Sequence, residues 1–200
     1  MRKIFIIALL TFASIGLENP AKAQAYAPGQ LQINAGISAG LLGYGGYFGA
    51  WGWGGYRRTG FVPLFALAEY GFHKWISAGP YIGYYSRGYR HRSLDHMHRW
   101  SHVNVGVRGT FHWVPLMRQW GLNIDEDRWD FYASLITGLE FRSYSYNGPG
   151  TNLIGGSGGT RLIVGPVVGA RYMFSKNLGA FAETGRGMFG LASIGMTFKL

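Results

Sequence analysis

From Ala192 to the last residue the chain alternates strictly. Ala192, Ile194, Met196, Phe198 and Leu200 share one parity, and Ser193, Gly195, Thr197 and Lys199 share the other. Successive strand side chains point to opposite faces, so an extended segment here has one apolar and one polar face. A helix would scatter the same residues around its circumference. The chain must therefore form a sheet with one apolar face, and the question is how often the pattern recurs.

It recurs along the whole chain. Extended segments fall at Leu31–Leu42, Phe61–Phe72, Trp75–Ser86, His102–Trp113, Phe131–Arg142, Thr160–Phe174, Leu178–Gly185 and Met188–Leu200. In the first, Gln32, Asn34, Gly36, Ser38 and Gly40 alternate with Ile33, Ala35, Ile37, Ala39 and Leu41. In the fourth, Asn104, Gly106, Arg108, Thr110 and His112 alternate with Val105, Val107, Phe111 and Trp113. The connections differ in length. Residues 43–60, 87–101 and 143–159 read as long loops, while His73-Lys74 and Ser175-Lys176-Asn177 read as tight turns. An even number of strands with long loops at one end and short turns at the other is the pattern of an up-and-down transmembrane barrel. Both termini then lie at the short-turn end. The aromatics Tyr70, Phe72, Trp113, Tyr172, Phe174 and Phe198 fall near that end, where an interfacial girdle belongs.

The N-terminus reads as an export leader. Arg2 and Lys3 precede an apolar run from Ile4 to Ile15, and the small residues of Ala21-Lys22-Ala23 and Ala23-Gln24-Ala25 offer cleavage after Ala23 or after Ala25. The expected organisation is a leader over residues 1–23 and one barrel domain over residues 26–200. With no cysteine, disulfides, thiol chemistry and the lipidated cysteine of a lipoprotein are excluded. Only 14% of residues are charged, against 33 Gly, 13 Tyr, 13 Phe and 7 Trp. A soluble domain averages about 25% charged. Without the leader the chain keeps 16 Lys and Arg against 8 Asp and Glu, a formal charge of +8. For an exported barrel that charge points to anionic lipid headgroups, not to nucleic acid.

Several segments carry a family likeness: residues 63–72 (PLFALAEYGF), 79–84 (GPYIGY), 169–174 (GARYMF), 177–183 (NLGAFAE) and the final strand. Together they resemble the small outer-membrane β-barrel family, of the eight-stranded kind frequent in Bacteroidota. The resemblance implies an all-β, eight-stranded antiparallel transmembrane barrel in the outer membrane, inserted by the assembly machinery. The family usually ends on an aromatic residue, whereas Leu200 is last here. Pro63, Pro80 and Pro166 fall within strands, where each removes a ladder hydrogen bond. Bulges beside Gly79 and Gly165 are the expected accommodation.

Candidate chemistry lies in two places. The polar faces collect Glu69, Arg108, Glu140, Arg142, Arg171, Glu183 and Lys199. An eight-stranded lumen is just wide enough to be filled by side chains, so these should form an ion network. Arg171 and Glu183, on adjacent strands, are the first expected pair. The long loops collect Arg57, Arg58, Arg87, Arg90, Arg92, Arg99 and Arg186, while Asp125, Glu126, Asp127 and Asp130 fall toward the other end. Guanidinium forks match phosphate geometry, so contact with lipopolysaccharide is expected at the basic end. His96 and His98 are a weak metal signal among so many arginines, and no metal or cofactor is expected. Ser93, Ser101, His91, His102 and Asp95 supply the residue types of a lipid A esterase, without triad geometry being implied by sequence adjacency. The reading is a monomeric, non-enzymatic barrel with a structural or surface-interaction role. A narrow transport channel and a lipid A-modifying esterase are its alternatives.

Overall fold

Two ladders beyond simple hairpins decide the architecture: the first strand pairs with the last, and the fourth pairs with the fifth. The computed structural model describes residues 24–39, 56–91, 97–148, 151–154, 158–186 and 189–200. The elements are β1 (Leu31–Ala39), β2 (Tyr56–His73), β3 (Ile76–His91), β4 (Met97–His112), the short helix α1 (Val114–Gln119), β5 (Trp129–Gly148), β6 (Thr151–Ile154), β7 (Gly159–Met173), β8 (Leu178–Gly185) and β9 (Ala192–Lys199). The ring runs β1-β2-β3-β4-β5-β7-β8-β9 and returns to β1, antiparallel throughout. β6 lies outside the ring and pairs only with the far end of β5. This is an eight-stranded up-and-down barrel. One end carries residues 24–30, the C-terminus, the Lys74-Trp75 turn, α1 and residues 174–177; at the other, β1, β3, β5 and β8 end and β2, β4, β7 and β9 begin. They are called the turn end and the loop end below.

The alternation lands as the strand period requires. Ser193, Thr197 and Lys199 point into the lumen and are buried, while Ile194 is 59% exposed on the outside. The outward set is apolar around the ring: Ile33, Ile37, Leu64, Ile82, Val107, Leu135, Leu139, Leu162, Val164 and Val168 are all exposed. Leaving each such side chain in water forfeits about 1.5–3 kcal/mol relative to burial, so the surface is built for hydrocarbon. A lipocalin-like barrel, apolar inside and polar outside, would show the inverse.

Aromatic rims bound this belt. At the turn end the rings of Tyr70 and Phe72, Phe111 and Trp113, Trp129 and Tyr172, and Tyr172 and Phe174 touch in pairs. Toward the loop end, Tyr84 and Phe141 are exposed on the outer face. On β5, ten residues separate Phe131 from Phe141. At about 3.4 Å per residue and a tilt near 45°, that is roughly 24 Å, the height of a barrel's lipid-facing band.

Three expectations need correction. Residues 56–60, 87–91 and 97–101, expected in loops, continue β2, β3 and β4, and residues 143–148 extend β5 into a hairpin with β6. Tyr, Arg and Ser at these positions looked like loop composition, yet alternating aromatics across facing strands sustain a ladder beyond the membrane. Residues 114–130 contain α1, started by Pro115 at a position where a missing N–H costs nothing. One register shift sits at Pro63, between Phe61 and Leu64, and a second between Gly71 and His73; neither is beside Gly79 or Gly165. At Pro80 the β2–β3 pairing lapses between Leu67↔Tyr81 and Tyr70↔Ala78 without a change of register. Pro166 lies where the β7–β8 pairing stops.

Candidate functional site

The lumen near the turn end holds a charge-balanced network. Arg171 donates to Asp130 Oδ2 at 2.9 Å and to Gln32, and lies 3.4 Å from Glu69 Oε2. Arg108 donates to Glu183 Oε1 at 2.7 Å and sits 3.5 Å from Glu69 Oε1. Tyr132 donates to the same Glu183 oxygen at 2.9 Å, and Asn34 donates to Glu69 at 3.0 Å. Tyr132 places its ring between the two guanidiniums, at 5.2 Å from Arg108 and 5.1 Å from Arg171. That ring fits only because residue 169 is glycine, where a Cβ would stand 2.7 Å from Tyr132 Cζ. Arg108, Arg171 and Lys199 thus face Glu69, Asp130 and Glu183, all of them buried or nearly so. Charges taken out of water need such pairing, because one left alone costs several kcal/mol.

The expected Arg171–Glu183 pair is not made. In the β7–β8 ladder Arg171 stands opposite Phe181, and Glu183 stands opposite Gly169. The two are offset along the strands, and each reaches across the lumen to a nearer partner. Asp130, grouped by the sequence reading with Asp125, Glu126 and Asp127 at this end, points into the lumen and is the partner that reading left out of the network. Its parity with Tyr132, Ser134 and Glu140 on β5 is the signal that marks it as inward. Lys199 is held against the carbonyl of Gln24. Glu140 and Arg142 lie higher in the lumen, paired with each other, and Glu140 also meets His102 Nδ1 at 3.3 Å.

One arrangement beside the network has the connectivity of a catalytic triad. Ser77 Oγ lies 2.9 Å from His112 Nε2, and His112 Nδ1 lies 2.9 Å from Asp130 Oδ1. None of the Ser and His residues suggested by sequence takes part: Ser93 lies outside the described residues, and His102 is bound up with Glu140. The arrangement is closed to substrate. Ser77 and His112 are 2% and 0% exposed, and the Tyr26 ring stacks on His112 at 3.4 Å with planes 8° apart. Burial, with Asp130 and Glu69 adding, raises the Tyr26 phenol well above its usual range, so it stays a donor shared by the His73 and Ile76 carbonyls. A fluorophosphonate ester reagent is therefore expected to leave the folded barrel unlabelled. Labelling abolished by Ser77→Ala would restore the esterase reading.

Above the network the lumen turns apolar. Phe65, Leu67, Tyr81, Tyr85, Ile136, Ile163, Phe181 and Phe189 form one buried cluster. Phe189 fits beneath the loop end because Gly83 has no Cβ, which would stand 2.5 Å from Phe189 Cε2. Ions crossing the barrel would have to pass this apolar block.

At the loop end β3, β4 and β5 project beyond the lipid-facing belt. Their lumen-side face carries Arg87, Tyr89, His98, Trp100, Tyr144 and Tyr146. Trp100 and Tyr144 have centroids 5.0 Å apart, His98 bonds Tyr144 Oη at 2.7 Å, and the Arg87 guanidinium lies 5.4 Å and 5.7 Å from the Tyr89 and Trp100 rings. The arginines expected at this end divide. Arg90 and Arg99 are exposed on the opposite, outer face, Arg87 turns to the inner one, and Arg186 is exposed beyond β8. Arg57 and Arg58 stand in register with Arg90 and Tyr89 on β2, while Arg92 lies outside the described residues. Arg161 is a further exposed cation there, missed by the sequence reading. The turn end carries both signs: Glu126 pairs with Arg118, and Asp125 lies 3.8 Å from Arg128. His96 lies outside the described residues, and among the described ones no cluster of His, Asp and Glu gathers to hold a metal.

No protein-family model and no curated protein matches the chain. Among solved structures it is similar to Ail, the attachment invasion locus protein of Yersinia pestis, with TM-score 0.47, 12% identity, and coverage of 86% of this chain and 96% of that one. It is also similar to the N-terminal β-barrel domain of Pseudomonas aeruginosa OprF, with TM-score 0.46, 14% identity, and coverage of 88% and 100%. A de novo designed transmembrane β-barrel matches with TM-score 0.43, 14% identity, and coverage of 88% and 98%. The closed ladder and its outward apolar belt establish the fold independently of these likenesses.

Proposed function

We propose that the protein is an exported, integral outer-membrane barrel with a structural or surface-interaction role, whose basic loop-end strands contact lipopolysaccharide. The observation that carries this reading is the placement of Arg90 and Arg99. They are exposed on the outer face of β3 and β4, beyond the rim marked by Tyr84 and Phe141. That is the level at which outer-leaflet phosphates lie. The described residues 84–91, 97–103 and 142–148 carry Arg87, Arg90, Arg99 and Arg142 among aromatic and polar neighbours. Attraction of this kind is screened over a Debye length of about 8–10 Å, so it weakens with salt.

Replacing Arg87, Arg90, Arg92 and Arg99 together by Gln should lower binding of purified barrel to lipopolysaccharide and flatten its salt dependence, while folding survives. Binding unchanged in that variant sinks the proposal. The channel alternative is opposed by the apolar cluster and ion network that fill the lumen. In planar bilayers the protein should show no steady conductance, and discrete channel openings would favour transport instead.

A further inference from the structure

Residues 24–30 seal the lumen at the turn end, and the seal starts at Gln24. The Gln24 carbonyl accepts from Lys199 Nζ. Ala25 is fully buried; its N–H donates to the Glu126 carbonyl at 2.8 Å and its carbonyl accepts from Gln32 Nε2 at 3.1 Å. Tyr26 covers His112, and the Gly29 and Gly71 amides donate to the Gly71 and Gln30 carbonyls at 2.8 Å and 3.0 Å. The segment is thereby tied to β1, β2, β3, β9 and the connection before β5.

This geometry separates the two leader-cleavage sites offered by the sequence. A cut after Ala25 would discard the residues that make the bonds to Lys199, Glu126 and Gln32. It would also leave Lys199, which is 5% exposed, without its carbonyl acceptor. A cut after Ala23 keeps every bond of the seal and leaves glutamine as the terminal residue. We infer that the mature chain begins at Gln24 and that this residue closes to a pyroglutamyl lactam. The inference rests on the exported reading.

The chemistry needs no co-reactant. The α-amine of Gln24 attacks its own side-chain Cδ, a C–N bond forms, the Cδ–Nε2 bond breaks, and the amine proton leaves with ammonia. Gln24 is exposed, so the ring has room. The electrostatic effect favours the closed form. An open terminus would put an α-ammonium on the same residue whose carbonyl holds the Lys199 ammonium, and like charges repel at that range. The lactam removes that charge while retaining the carbonyl that Lys199 uses and the whole of Ala25.

The test is intact-mass measurement and N-terminal sequencing of the full-length precursor's product, purified from the outer membrane of an expressing Gram-negative host. The expected mass is that of residues 24–200 less one ammonia. Sequencing should be blocked until pyroglutamyl aminopeptidase is added, and should then read Ala25-Tyr26. A Gln24 terminus that sequences directly overturns the lactam, and a chain starting at Tyr26 overturns the processing site. Retention of Met1 overturns the exported reading as well. In the Gln24→Ser variant the amine stays open, and the barrel should unfold at lower temperature than the parent; an unchanged melting curve overturns the role given to the lost charge.

Discussion

Replacing Arg171 with methionine should lower barrel stability by about 3–5 kcal/mol. The substitution keeps much of the side-chain volume and removes the cation that holds Asp130 at 2.9 Å and Glu69 at 3.4 Å. Both carboxylates are 1% exposed, so neither can recover its lost partner from water. Arg171 cannot answer a missing partner by losing its proton, and the reverse removal is expected to be as damaging. Urea titration of the barrel refolded into lipid vesicles measures the effect. Arg171→Met combined with Asp130→Asn should recover part of the loss, because the orphaned charge is then gone. A single variant as stable as the parent would mean that the network contributes nothing to folding.

Ile194→Arg should cost about 2–4 kcal/mol, the depth-dependent penalty for a cation on the lipid face of a barrel. Ile194 is 59% exposed on β9, two residues in from the strand's loop-end start and four from Phe198, and pairs with Ile37 and Ala182. Its neighbour is the control. Ser193 faces the lumen at 7% exposure with its hydroxyl 2.9 Å from that of Ser38, so Ser193→Asn should be mild. Folding yield in vesicles, compared for the two variants, reads the difference. If the arginine were tolerated and the asparagine were not, the inside and outside of this barrel would be reversed.

Much of this architecture is visible without coordinates. The parity of Ser193, Thr197 and Lys199 against Ile194, Met196 and Phe198 is a local property with a period of two, and it survives folding because neighbouring side chains cannot share a face. The same holds for Gln32 and Asn34 in β1 and for Arg108 and His112 in β4. Strand ends were less legible. Arg87 to His91 and Met97 to Ser101 have loop-like composition, and their extension depends on facing partners such as Arg87↔Trp100 and Trp100↔Tyr144. A ladder between strands leaves no signal within either one.

The sequence by itself determined an antiparallel transmembrane β-barrel and which face of each strand points away from the lumen. Those outcomes follow from alternation, turn chemistry and composition, all short-range. Only the tertiary structure decided the partners. Arg171 meets Asp130 and not Glu183, Ser77 meets His112, Phe189 caps an apolar block beneath the loop end, and Gln24 to Gln30 seal the base. Each of these depends on the stagger with which eight strands close around a narrow lumen. Closure brings together residues as far apart as Gln32 and Arg171, and the register that aligns them is a property of the whole ring.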